Sequence, residues 1–341
     1  MPSSRQILDA LVELFVPDIR SAFDAAIQDV TDNAVIKSMI AAIQGGDVDA
    51  AFRALGFTPA AMRPLTAAIE RAYEQGGVTV AQTFPQRAMA AGGRGVFRFD
   101  VRNSRAEAYL RERSSSMVTR LTEETRVNVQ TVMSRGVQAG DNPRTTALDI
   151  VGRIDRTTGK RVGGIVGLTE QQEFWVSGTR NNLENLSPDY FNRELRDKRY
   201  DETVAKAIRD EKPLSAETIE KLVTRYKSNT LRYRGESIAR TEALESLNRS
   251  EYEAYQQAID NGSIDESAIT KIWDNAGDRR VRHDHLLMEG QKRAFSEPFL
   301  APDGSLLLHP LDRSLGASAK ETIMCRCKVR YKIDFFSDFD A

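Results

Sequence analysis

The sequence predicts a mainly α-helical protein, with long helices through the N-terminal three quarters followed by a small α+β domain at the C-terminal end. Three observations carry this. Apolar residues recur at helical spacing from Ile7 to about Ile259. After Asn261-Gly262 the texture changes to short alternating runs punctuated by Pro and Gly. The metal-capable side chains then crowd into this last part, with His283 and His285 in "DRRVRHDHLLMEG" (Asp278 to Gly290) and both cysteines in "CRC" (Cys325 to Cys327).

In "ILDALVELF", Ile7, Leu8, Leu11, Leu14 and Phe15 share one helical face, and Pro17 is expected to close the run. Ile19, Phe23, Ile27 and Val30 form the next stripe. Val35, Ile36, Met39, Ile40 and Ile43 form a third, ended by Gly45-Gly46. Thr58 suits an N-cap and Pro59 the first helical position. Leu65, Ile69 and Tyr73 follow on one side, and Gly76-Gly77 read as a stop. Residues 78–103, with "AGGRG" and then alternation over Val96, Phe97, Arg98 and Phe99, read as a linker or short extended segment.

A long helix is expected from Ser104 to about Gln138, carrying Leu110, Met117, Leu121 and Val132, and another over Pro143 to Ile154. "RIDRTTGKRVGGIVG" sets Arg153, Arg156, Lys160 and Arg161 against Asp155 alone. It reads as a solvated hairpin or flexible loop, or more sharply as a basic finger that touches phosphates. Thr169 and Gln172 make a capping box. Ser215 to Ile259 is helical, with a break expected near Ser228-Asn229. The chain divides on this reading into an N-terminal helical domain (1–95), an extended helical middle region (96–261) with its basic loop near 153–164, and the small α+β domain (262–341).

Lys+Arg is 48 and Asp+Glu is 49, so whole-chain charge neither favours nor excludes nucleic acid. No apolar run is long enough for a membrane span, and "MPSSRQILDALVELF" lacks the build of a secretion signal. Two cysteines two residues apart make no disulfide framework, so a cytosolic product with reduced thiols is expected. H-E-x-x-H, P-loop and G-x-S-x-G patterns are absent from the sequence.

In the C-terminal part, "AITKIWD" has strand character. "TIMCRCKVRYKI" alternates, which would put Ile323, Cys325, Cys327 and Val329 on one strand face and Thr322, Met324, Arg326, Lys328 and Arg330 on the other. His285 or His283, with Cys325 and Cys327, supplies three or four candidate ligands for a structural zinc ion, although the spacing is not that of a zinc finger. Because that spacing is not diagnostic, the cysteines fit better as a pair of small buried hydrophobes, with His285 as a buried hydrogen-bonder. His309 lies outside both clusters and reads as structural. The basic face of Arg326, Lys328 and Arg330 suits DNA phosphates or an acidic partner, or simple solvation. A Cys–His nucleophile is weakly supported, with no helix N-terminus to lower a thiol pKa. The alternative activity on the same cluster is that of a metal-dependent hydrolase or nuclease. The tail "DFFSDFDA" reads as a partner-binding or packing segment, or a frayed end.

Four stretches in order, "IARTEALES" (Ile238 to Ser246), the Trp of "KIWD" (Trp273), "DRRVRHDHLLMEG" and "ETIMCRC", resemble the phage Mu protein F-like head morphogenesis family, minor capsid proteins of tailed phages. The resemblance covers roughly the last third of the chain, with a further likeness in "FDVRNSRAEAYLRERSSSMVTRLTEETRVNV" and "IVGLTEQQ". Asp278, Arg280, Arg282, His285, Met288 and Gly290 fall on the family pattern. His283 falls off it, which favours His285 for any shared role. Met324 departs, since Asn or Gly often precedes the first cysteine in that family. The resemblance implies a non-enzymatic virion component of the capsid interior or portal vertex, passing through the host cytoplasm during assembly. It implies the portal protein as partner, with the major capsid or scaffold protein and packaged double-stranded DNA as further candidates, a role in DNA ejection, and no membrane. It also implies that Arg240, Glu242, Trp273, Asp278, Arg280, Arg282 and Gly290 hold the fold together with the two thiols, metal-bound or not.

Overall fold

In the computed structural model, which describes residues 4–84 and 97–334, helix α1 spans Ser4–Asn33 and passes through Pro17 instead of ending there. An interior proline removes one backbone hydrogen bond and costs about 3 kcal/mol. Phe15, Val16, Ile19, Phe23, Ile27 and Val30 are all buried along this helix, and at about 1.5–3 kcal/mol per large apolar side chain their burial outweighs that cost. Helix α2 (Ile36–Gly45) ends as expected, on Gly46 in the left-handed conformation. Asp47 then caps α3 (Val48–Leu55) by accepting the Ala50 N–H at 2.8 Å.

Helix α4 (Arg63–Thr83) runs straight through Gly76-Gly77, another departure from expectation. The glycines serve packing. A Cβ on Gly76 would collide with Ser250 Oγ and stand 2.9 Å from Leu247 Cδ2, and one on Gly77 would meet the Phe99 ring. The linker expected over 78–103 therefore begins inside α4. "AGGRG" and Val96 lie outside the described residues, as does the tail from Phe335 onward.

Helix α5 (Ser104–Ala139) matches its expected span. Helix α6 (Pro143–Val151) stops three residues short of Ile154, because Arg153–Ile154 forms β1 and pairs antiparallel with β2 (Arg161–Val162). The basic segment is thus a hairpin. Helix α7 (Glu170–Glu184) carries the full capping box of Thr169 and Gln172. After α8 (Asp201–Arg209), α9 (Ala216–Asp260) continues unbroken through Ser228-Asn229. The Ser228 hydroxyl folds back to share the Thr224 carbonyl of its own helix (3.0 Å), and Asn229 Nδ2 is taken by Leu195 O (2.9 Å), so both polar side chains are satisfied with the helix intact.

The C-terminal elements are β3 (Ile269–Asp274), α10 (His283–Leu287), β4 (Lys292–Ala294), β5 (Phe299–Leu300), β6 (Leu306–Leu307), α11 (Ala319–Thr322) and β7 (Lys328–Ile333). β3 lies centrally in an antiparallel sheet of order β4-β3-β7, with Ile272 opposite Arg330, and β5 pairs with β6. The single strand expected over Thr322 to Ile333 is corrected. Met324 takes a left-handed backbone (φ 59°), which breaks the alternation, so Cys325 and Cys327 sit on a loop that enters β7.

Two compact units result, one of residues 1–21, 65–113 and 237–341, the other of 22–64 and 114–236. Their limits differ from the sequential 1–95, 96–261 and 262–341 division, because α1, α5 and α9 each contribute to both. In the unit holding the C-terminal sheet, the core includes Phe84, Phe97, Tyr252, Tyr255, Ile269 and Phe295. Tyr252 stacks on Phe295 (4.6 Å) and Tyr255 on Tyr331 (4.1 Å). Lys271 is fully buried here, donating to Leu308 O at 2.9 Å beneath the rings of Tyr252, Phe295 and Phe299, and burial pushes its pKa down to about 8. In the other unit, Asn128 donates to Leu168 O at 2.7 Å and Arg135 pairs with Glu173 at 2.6 Å, both on buried partners.

Alanine at Gly76 tests the packing reading by sign. In an ordinary helix interior it would stabilise by about 1 kcal/mol. Here overpacking against Ser250 and Leu247 is expected to destabilise by about 1–3 kcal/mol, read by chemical denaturation. Burial also pushes His309 down from 6.5 to about 4. Above pH 6.5 both folded and unfolded states hold it neutral. Between pH 6.5 and about 4 only the unfolded state takes the proton, so stability falls as pH falls through that window. Relative to His309→Gln, the native protein should lose stability between these limits, followed on Trp273 fluorescence in a Trp175→Phe background.

Candidate metal centre

His285 lies on the single turn of α10 with its ring buried, and the loop entering β7 brings both cysteines to it. Nδ1 stands 3.5 Å from Cys325 Sγ and 3.4 Å from Cys327 Sγ. The three donor atoms fall within 4.8 Å of one another, and both thiols are free and 2 % exposed. On the far side of the ring, Nε2 lies 2.8 Å from a carboxylate oxygen of Glu321, itself fully buried on α11. That is hydrogen-bond distance, but the two groups are not aligned as a hydrogen bond, and neither atom has another hydrogen-bond partner. Trp273 of β3 packs edge-on to the imidazole, with ring centres 5.3 Å apart.

The charges are set by this crowding. Burial alone would raise the Cys325 thiol, but hydrogen bonds with Cys327 and His285 outweigh it and hold Cys325 well below the ordinary thiol range. The same bond to Cys325, reinforced by burial, pushes Cys327 up. Burial works against protonation of His285, yet the hydrogen bond and charge of Cys325, then Glu321, raise its pKa.

The other motif residues build the frame. Thr241 Oγ1 accepts the Met324 N–H at 3.1 Å, and the Arg282 guanidinium donates to Ile323 O. Arg326 grips both oxygens of Asp278, whose carboxyl it holds well below the usual range, and Asp278 also accepts the Arg280 N–H at 2.9 Å. The Arg280 side chain is mostly exposed, and Arg240 is half-buried on α9. Glu242 accepts two bonds of 2.8 Å from Arg113 of α5, which also pairs with Glu245. Burial pushes Glu245 up to about 7 against the pull of Arg113. Met288 is buried, and Gly290 turns the chain at φ 73°, where glycine is favoured, donating to Trp273 O at 2.9 Å.

Other sequence candidates lie apart. His283 is mostly exposed, 3.6 Å from Asp284, and takes no part in the cluster. The expected basic face of the last strand is not formed. Arg326 is held by Asp278, Lys328 is buried 3.8 Å from Asp274, and of the three only Arg330 is exposed. In the β1–β2 hairpin Arg156 and Lys160 are exposed, while Arg153 pairs with Asp149 and Glu220 and Arg161 donates to Gly152 O. Sequence reasoning missed Glu321 and Arg113. Glu321 had a signal, an acid four residues before the first cysteine. Arg113, in "LRERSSS", had none.

Arg113→Ala would remove the cation that bridges the buried Glu242 and Glu245, and should destabilise the protein by about 3–5 kcal/mol in denaturation. Asp278→Asn, at a carboxylate that solvent reaches, should change stability little by the same measurement.

Comparison with curated proteins and with solved structures finds no significant match in either. Residues 201–330 match the family model described as Phage Mu protein F like protein. The matched span holds Glu242, Trp273, Asp278, Arg282, His285 and the Cys325–Cys327 loop, the frame just described, and by it residues 201–330 are assigned to the Mu protein F-like family.

Proposed function

We propose that this protein is a minor capsid component that associates with the portal vertex during prohead assembly, contacts packaged DNA and aids its ejection. The observation that carries the reading is what the motif residues do. Asp278, Arg282, Thr241 and Glu242 all bond within the chain, to Arg326, Ile323, Met324 and Arg113. A pattern of this kind fixes a shape, as an assembly part requires. Among the described residues no helix is long and apolar enough to cross a membrane. DNA contact rests on Arg156 and Lys160, exposed on the β1–β2 hairpin, where phosphates can reach them. Major capsid or scaffold protein is a further candidate partner.

The grouped His285, Cys325 and Cys327 favour a second reading, a metal-dependent hydrolase or nuclease, since three protein ligands leave a metal one open position. Against it, all three side chains are only 1–2 % exposed, so a substrate would have to displace the surrounding frame to reach them.

Coexpression of the full chain with the portal protein of the same phage is expected to yield a complex that survives purification, and the chain is expected in proheads. Its absence from both overturns the portal reading. Replacing Arg156 and Lys160 with Ala should leave portal binding intact and make the dependence of log K for DNA on log salt shallower by roughly 2, for two lost phosphate contacts. DNA cleavage by the purified protein, lost in His285→Ala with its fold retained, would favour the second reading.

A further inference from the structure

We propose that His285 Nδ1, Cys325 Sγ and Cys327 Sγ bind one zinc ion, and that Glu321 is the carboxylate that orients the histidine ligand. The geometry is the first argument. Zn–S bonds of about 2.3 Å and Zn–N bonds of about 2.0–2.1 Å at tetrahedral angles place sulfur and nitrogen roughly 3.6 Å apart. The observed separations are 3.5 and 3.4 Å. The three donors already stand around one point.

The second argument is Glu321. A metal-bound histidine characteristically donates its other ring N–H to a carboxylate, which fixes the tautomer and ring plane. With Nδ1 on the metal, the Nε2–H of His285 is left for the Glu321 oxygen 2.8 Å away, and both atoms otherwise lack a hydrogen-bond partner. Glu321 is fully buried, and the Lys320 ammonium stands 3.5 Å from its other oxygen.

The third argument is preorganisation. The Cys-Arg-Cys loop is fixed at Ile323 by Arg282, at Met324 by Thr241 and at Arg326 by Asp278, so both sulfurs are aimed before a metal arrives. Two thiolates and an imidazole select zinc over magnesium, calcium or manganese. On binding, the protons held on the two sulfurs and on Nδ1 leave to solvent, His285 binds as neutral imidazole, and the dication balances the two thiolates. No fourth protein donor joins the three among the described residues, so solvent takes the remaining position. The ion would tie α10 to the loop entering β7, whatever the protein's partner in the head.

The test uses the full-length protein, purified under reducing conditions without a metal-affinity step. Elemental analysis is expected to give one zinc per chain. X-ray absorption should show two sulfur and two nitrogen or oxygen neighbours, and cobalt(II) exchange should give the thiolate-to-cobalt charge-transfer bands of a tetrahedral site. A folded, monodisperse protein that holds well under one equivalent of zinc, both as purified and after zinc addition, overturns the proposal. Cysteine variants are open to failed folding, so Glu321→Gln provides the second arm. Chelator competition should show zinc bound about tenfold to a hundredfold more weakly with helical content unchanged. Unchanged affinity removes Glu321 from the site.

Discussion

Buried carboxylates on α9 are the constraint from which the rest of the C-terminal unit follows. Glu242, Glu245 and Glu253 are at most 5 % exposed, and a buried carboxylate is tolerated only beside a cation or with its proton kept. Arginines of α5 meet them, Arg113 at Glu242 and Glu245, Arg105 at Glu253. These pairs fix the register of α5 against α9 within the unit, since a shift by one residue on either helix would strand a charge. Thr241 neighbours Glu242 on the same turn, so the register also sets where its hydroxyl stands. That hydroxyl accepts the Met324 N–H and starts the Cys325–Cys327 loop. The Ala-Arg-Thr-Glu stretch and the Cys-Arg-Cys stretch, more than 80 residues apart in sequence, are two ends of one lock.

Much of the fold was legible because helices declare themselves by period. The stripes of α1 and α2, the capping box at Thr169 and the spans of α5 and α9 needed only local information. The departures share a cause, which is packing between elements distant in sequence. Pro17 and Gly76-Gly77 are stop signals locally, but tertiary burial overrode the first and close approach of Ser250 and Phe99 gave the glycines another use. The alternation in "TIMCRCKVRYKI" suggested a strand, yet one left-handed residue, Met324, moved the cysteines off it.

The candidate site was legible in its ligands and illegible in its support. Histidine and cysteine are rare enough here that crowding alone marks His285, Cys325 and Cys327. Glu321 is one of many acids, and its importance comes from a short helix that turns it toward the ring. The same holds for charge. Sequence counted Arg326 and Lys328 as free cations, whereas Asp278 and Asp274 meet them in three dimensions.

One face of β3 links the core to the cluster. Lys271 and Trp273 alternate onto the same side, and Phe299 touches both, its ring 5.2 Å from the Lys271 ammonium and 5.2 Å from the Trp273 ring. Trp273 then abuts His285. Buried polar groups arranged this way penalise any other packing, because each alternative leaves a charge or donor unmet. Such a set identifies an architecture. It follows that what distinguishes this protein from others with the same motif is to be sought away from the motif, on surfaces such as the β1–β2 hairpin, whose exposed cations take no part in holding the fold.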